Sequence, residues 1–258
     1  MWNNEGYYLF SDIPRNCIVQ VKENGEQKDL VLNSGFTNKR SIELSEQMGS
    51  NGLAYDKNCL LFICQHGNGA IATWNGNELK PFCTHYNSKP FNSPNDIVVA
   101  KDGSVFFSDP PYGLKDQKMQ SEKAQPIAGL YCWRNEEIKL ITHQYLYPNG
   151  VCLSPDEKSL YTCSNKPFEK FVLEFDAATL AYKRKVADEN SDGLKCDTWG
   201  NLWLCTKEGI VIINTEGERL AKIELETISA NACWGGDGQK DILVTARNNI
   251  FLIKNLLL

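Results

Sequence analysis

Apolar runs of about five residues recur along the whole chain, each led by a polar residue and separated from the next by a Gly, Asp or Asn turn. The first clear copy reads Asn51-Gly-Leu-Ala-Tyr-Asp, answered by Leu60 to Gln65. The pattern returns as Asn95-Asp-Ile-Val-Val-Ala with Ser104 to Asp109, and as Asn149-Gly-Val-Cys-Leu-Ser with Ser159 to Ser164. It returns again as Asp192-Gly-Leu-Lys-Cys-Asp with Asn201 to Thr206, and as Asn231-Ala-Cys-Trp-Gly-Gly with Asp241 to Ala246. Alternation with period two predicts strands, and Gly/Asn/Asp clusters between them predict tight turns.

The leading polar residues at 51, 95, 149, 192 and 231 are spaced by 44, 54, 43 and 39 residues. Each step holds two further short runs, for example Ala70 to Trp74 and Leu79 to Cys83. Four strands in roughly 40–45 residues is the signature of a propeller blade. The expected fold is therefore all-β: a six-bladed β-propeller with four-stranded blades, occupying residues 1–258 as one domain. A β-sandwich gives no reason for a polar residue at the head of every fourth strand. The longest step carries a loop insertion near Tyr112 to Ile127, and Lys166 to Lys170 and Asp188 to Ser191 read as loops. The sixth blade falls at the N-terminus, in Tyr7 to Ser11, Cys17 to Lys22 and Asp29 to Asn33. Its innermost strand is expected to be mostly missing, as is the outermost strand of the last blade, which ends after Ile250 to Lys254. The expectation is that N-terminal strand residues precede Met1.

Composition narrows the class. A hydrophobic fraction of 42% supports a core, and a net charge of −5 gives no basic footprint for nucleic acid. No apolar run approaches the roughly 20 residues of a membrane helix, and the first residues lack the pattern of a signal peptide. Most of the ten cysteines lie inside strand runs such as Leu60 to Cys64 and Leu202 to Cys205. They read as reduced core thiols, which implies a cytoplasmic protein.

In a propeller the innermost strands line a central channel, so Asn51, Asn95, Asn149, Asp192 and Asn231 are expected to converge. Amide and carboxylate oxygens suit a hard cation such as Ca²⁺ or Mg²⁺. The plainer reading is that Asn and Asp merely suit a loop entering a strand. No serine-hydrolase elbow, zinc-protease helix motif or phosphate loop occurs. Of the three histidines, His66 stands out, in the tight Gln65-His66-Gly67-Asn68-Gly69 loop.

Asn92-Ser-Pro-Asn-Asp96, Asp102-Gly103 and Ser108-Asp-Pro-Pro-Tyr-Gly-Leu114 resemble the gluconolactonase branch of a larger family. That family joins gluconolactonases, senescence marker proteins and luciferin-regenerating enzymes. Leu9 to Pro14, Gln65 to Asn68, Pro148 to Gly150, Ser154 to Glu157 and Asp192 to Leu194 extend the resemblance over nearly the whole chain. It implies a six-bladed propeller that opens sugar lactones with one divalent ion, most often Ca²⁺, sometimes Zn²⁺, Mg²⁺ or Mn²⁺. It further implies Asn149 and Asp192 as ligands, Asn95 as ligand or substrate contact, and Asp192 as proton shuttle. His66, Tyr112 and Asn51 become substrate contacts at the mouth. A family glutamate four residues before the tryptophan matched by Trp2 would precede Met1, and a substrate-binding arginine of animal members falls at Ser93. Two alternatives stay open: a non-catalytic propeller that binds a sugar or protein, and a hydrolase acting on other lactones or phosphotriesters.

Overall fold

The structure is a computed structural model and describes residues 1–3, 5–37 and 40–256. Six antiparallel sheets account for nearly all of its strands. The first comprises Trp2–Asn3, Tyr7–Asp12, Cys17–Lys22 and Gln27–Leu32. The second comprises Ser50–Tyr55, Leu61–Gln65, Ala70–Trp74 and Leu79–Cys83, and the third Ile97–Val99, Val105–Asp109, Gly129–Arg134 and Glu137–Thr142. The fourth comprises Val151–Leu153, Ser159–Cys163, Val172–Asp176 and Tyr182–Ala187. The fifth comprises Leu194–Cys196, Leu202–Thr206, Gly209–Ile213 and Arg219–Ile223. The sixth has three strands: Asn231–Gly235, Asp241–Ala246 and Asn249–Ile253. Every sheet is a meander in chain order, as short turns between successive strands require. Among the described residues the helical elements are two 3₁₀ turns, Lys115–Gln117 and Asp237–Gln239.

The chain divides into two compact units, Leu9–Pro148 and Met1–Tyr8 with Asn149–Leu258, the division falling inside the strand Tyr7–Asp12. In the second of these, strand alternation explains the core directly. Leu202 and Leu204 pack with Val211, Ile213 and Leu194 against Cys152, Tyr161 and Val172 of the fourth sheet. Trp203 and Cys205, pointing the other way, pack with Ile210 and Ile212 against Ala232, Ile242 and Val244 of the sixth. Covered on both faces, Leu202–Thr206 is buried at every position, and its sequence reads as a continuous apolar run. Burial of each such side chain contributes about 1.5–3 kcal/mol. In the five four-stranded sheets the fourth strand is the most exposed one: Arg219–Ile223 has four exposed residues in a row.

The head of each inner strand follows a second rule. Glycine comes directly after Asn51, Asn149 and Asp192. A Cβ on Gly52 would meet the Asn95 carbonyl oxygen at 2.7 Å, on Gly150 the Leu194 Cδ2 at 2.6 Å, and on Gly193 the Asn231 Oδ1 at 2.3 Å. Only glycine permits that approach. Its N–H is then used: Gly52 donates to Asn95 O at 2.7 Å, Gly150 to Asp192 O at 2.9 Å, and Gly193 to Ala230 O at 2.7 Å. Within each unit, this ties the head of one inner strand to the head of the next.

All ten cysteines are free, and eight of them are buried. Among the described residues, no helix is long and apolar enough to cross a membrane.

Candidate functional site

In the unit of Asn149–Leu258, the inner strands Val151–Leu153 and Leu194–Cys196 lie side by side. Asn149 donates from Nδ2 to Asp192 Oδ1 at 2.7 Å. Their backbones are held alike, Asn149 N on Cys163 O at 2.7 Å and Asp192 N on Cys205 O at 2.8 Å. The Cys163 thiol lies 3.3 Å from the carbonyl oxygens of both Ser191 and Asp192, so a strand-end cysteine secures the loop that presents the carboxylate. Asn149 is buried, whereas Asp192 is half-buried and lines a cleft of about 390 Å³. One wall of this cleft is an ion network: Arg219 grips Glu189 through Nε at 2.7 Å and Nη2 at 2.9 Å, and reaches Glu208 at 3.2 Å. Burial lowers the Lys166 pKa, and the negative charge of Asp192 raises it back in part. Asn231 packs against Gly193 and turns its Oδ1 to its own neighbour, Ala232 N, at 2.9 Å.

In the unit of Leu9–Pro148, three predicted residues meet. Asn51 Nδ2 donates to Asn95 Oδ1 at 2.6 Å and lies 3.2 Å from His66 Nε2, which is itself 3.2 Å from Asn95 Oδ1. His66 Nδ1 faces the Gln47 carbonyl at 2.8 Å. A carbonyl only accepts, so Nδ1 carries the proton and Nε2 presents a lone pair. Complete burial lowers the His66 pKa, against the opposing effect of the Gln47 carbonyl and the Asn95 side chain. The two hydrogens of the Asn51 amide face one acceptor each, His66 Nε2 and Asn95 Oδ1.

Tyr112 is 7% exposed and stacks on Tyr147, with ring centroids 5.8 Å apart. It is joined to the His66 cluster through Gly113, where a Cβ would meet His66 Cβ at 2.7 Å and Ser93 Cβ at 2.8 Å. Ser93 Oγ donates to Pro110 O at 2.6 Å and accepts from Gly113 N at 2.9 Å. Ser93 therefore stitches two loops together. The sequence contained no signal for Tyr147 or for Gln47, because neither lies in a periodic run or a motif.

The donor chemistry fits a hard cation. Asp192 supplies one carboxylate and Asn149 an amide whose oxygen and nitrogen exchange by a half-turn of the side chain. Among the described residues no group of three or more His, Cys, Asp and Glu comes together.

Sheets of this kind, repeated six times, define a six-bladed β-propeller, and solved structures share that fold over most of the chain. A gluconolactonase of Xanthomonas campestris superposes with a TM-score of 0.82 at 24% identity, covering 96% of this chain and 82% of that one. A calcium-binding regucalcin of Agrobacterium tumefaciens reaches 0.73 at 16% identity, covering 96% and 81%. The family described as "SMP-30/Gluconolactonase/LRE-like region" matches residues 1–248, and the chain belongs to it. A gluconolactonase of Zymomonas mobilis is 27% identical over 270 residues, spanning 97% of this chain and 76% of that protein.

Proposed function

We propose that the chain is a lactone hydrolase of the gluconolactonase kind, opening sugar lactones with a divalent cation held by Asn149 and Asp192. The observation that carries this reading is the 2.7 Å contact between those two side chains at the heads of adjacent inner strands. Family membership and the Zymomonas mobilis relative support it.

When bound, such a cation supplies Lewis-acid polarisation of the lactone carbonyl and a positive charge for the oxyanion that forms. The chain's own residues do the rest. Asp192, half-exposed on its cleft, takes the proton of the attacking water. Asn149 holds the Asp192 carboxylate in one orientation, and Gly150 holds the Asp192 carbonyl. Asn51, His66 and Asn95 contact sugar hydroxyls. Asn95 is also assigned as a further ligand of the ion, and Tyr112 as a contact to the sugar. Ca²⁺ is the favoured ion, and cytoplasm the favoured location. Hydrolysis of glucono-δ-lactone followed by pH-stat, with and without chelator, tests the proposal. A chelator-sensitive rate above buffer is the expected result, and its absence under saturating Ca²⁺ would refute it.

A further inference from the structure

The loop that carries Asn95 is gripped from two sides by Arg40 and Asp109. Arg40 donates from Nη1 to Asn92 O at 2.8 Å and from Nη2 to Phe91 O at 2.5 Å. Asp109, fully buried, accepts on Oδ2 from Asn92 N at 2.9 Å and on Oδ1 from Ser93 N at 2.8 Å. Carbonyl oxygens thus face a guanidinium, and N–H groups of the same short segment face the two oxygens of a carboxyl group. The bonds from the guanidinium are charge-assisted, a kind about twice as strong as neutral ones.

Arg40 reaches its place by crossing the His66 turn. Gly69 has φ +60°, and a Cβ there would lie 2.1 Å from Arg40 Nη1 and 2.4 Å from the Phe91 carbonyl oxygen. Gly69 N in turn bonds to the carbonyls of Gln65 and His66. One guanidinium therefore lies between the turn that holds His66 and the loop that leads to Asn95. Arg40 Nε is buried without a hydrogen-bond partner, an unfavourable arrangement. Beyond the clamp, Asn95 N is fixed on Ser108 O at 2.8 Å, directly before Asp109 in the chain.

We propose that Arg40 and Asp109 are positioning residues: a clamp that sets the distance between His66 and Asn95, and so the geometry of the Asn51–His66–Asn95 cluster. The proposal rests on the lactonase reading for its substrate, but not for its geometry. Neither residue touches the substrate. Both act through Asn92, Ser93 and the Gly69 turn.

The test uses the full chain with Asp109→Asn, Arg40→Lys and Gly69→Ala. The first replaces with an NH₂ one of the two oxygens that accept backbone N–H groups, the second keeps the Arg40 charge but loses the fork, and the third leaves both side chains and crowds the guanidinium. Three quantities are measured: the ¹⁵N shifts of the His66 imidazole, kcat and KM on glucono-δ-lactone, and the melting temperature. A displacement of about 1 Å in a reacting arrangement costs on the order of 100-fold. Asp109→Asn is therefore expected to lower kcat/KM by that order and to move His66 away from the pure Nδ1–H tautomer. Arg40→Lys and Gly69→Ala should shift the tautomer the same way while still folding. If Asp109→Asn fails to fold, those two decide. Folded variants with wild-type His66 shifts and wild-type KM overturn the clamp, even if their melting temperatures fall. A wild-type chain with no lactonase activity would remove the substrate reading alone, and the imidazole shifts would still decide for or against the clamp.

Discussion

The Asn149–Asp192 pair and the Asn51–His66–Asn95 cluster are built by one device and end as different chemistry. In each, a polar residue heads a short inner strand, and a following glycine bonds the carbonyl of the next head, as Gly150 bonds Asp192 and Gly52 bonds Asn95. The pair contains a carboxylate, and that carboxylate stands half-exposed on a cleft. The cluster carries no carboxylate, and its histidine is sealed from solvent. Desolvation accounts for the difference: an unpaired charge is costly in a sealed site, whereas amides and an imidazole satisfy one another there. The same backbone frame thus yields a charged group suited to cation and proton chemistry in one unit and a hydrogen-bonded cluster of amides and imidazole in the other.

Substitutions that exchange these characters break the comparison most sharply. Asp192→Asn keeps the shape and removes the charge, and kcat/KM on an aldonolactone should fall by about 10³-fold, the range for losing a positioned acid–base group. Asn95→Ala removes an acceptor and leaves one hydrogen of the half-buried Asn51 amide without its partner. A loss of about 1–3 kcal/mol is expected, seen mainly as a higher KM. Gly193→Ala tests the shared frame rather than the chemistry. Its Cβ meets Asn231 Oδ1 at 2.3 Å, and overpacking of about 1–3 kcal/mol should appear as a lower melting temperature.

The smallest effect concerns pH. Burial pushes Asp109 up to about 7 from an ordinary 3.8, against the pull of its hydrogen bonds from Asn92 and Ser93 and of the Arg40 charge. Tyr131, Cys64 and Cys83 also face it and are themselves raised by burial and by its charge. The folded chain keeps the Asp109 proton up to about 7, whereas the unfolded chain releases it near 3.8, so folding takes up a proton between those values. The contribution of Asp109 to stability is therefore full below 3.8 and is lost as pH rises through about 7. Asp109→Asn should flatten that part of a denaturation-versus-pH profile, while a wild-type slope in the variant would contradict the assignment.

Much of this architecture was legible because β-blades write themselves in period two. Ala70–Trp74 and Leu79–Cys83 fall where alternation and turns predict them. The inner strands are only three residues long in the third, fourth and fifth sheets, too short for any period. Their leading polar residue and, in two of them, the glycine after it reveal them instead. The ladder of His85–Tyr86 with Lys89–Pro90 went unforeseen for the same reason: two residues carry no period. Asn51, Asn95, Asn149 and Asp192 could be named from the repeat, since equivalent positions in successive repeats share an environment. Arg40 could not. It lies in a stretch without alternation, and its role depends on Phe91 and Asn92, about fifty residues further on. Asp109 closes an apolar strand, and nothing in the sequence distinguishes a buried carboxylate from a turn residue.

The central claim is that Asn149 and Asp192 hold a divalent cation whose presence is tied to lactone hydrolysis. Calorimetric titration of Ca²⁺ into chelator-treated protein, beside an Asp192→Ala control and with hydrolysis followed across the same titration, tests it most directly. Saturable binding that disappears in the variant, with activity rising along the binding curve, is the predicted result. Equal binding by the variant, or full hydrolysis before any ion is bound, would contradict it.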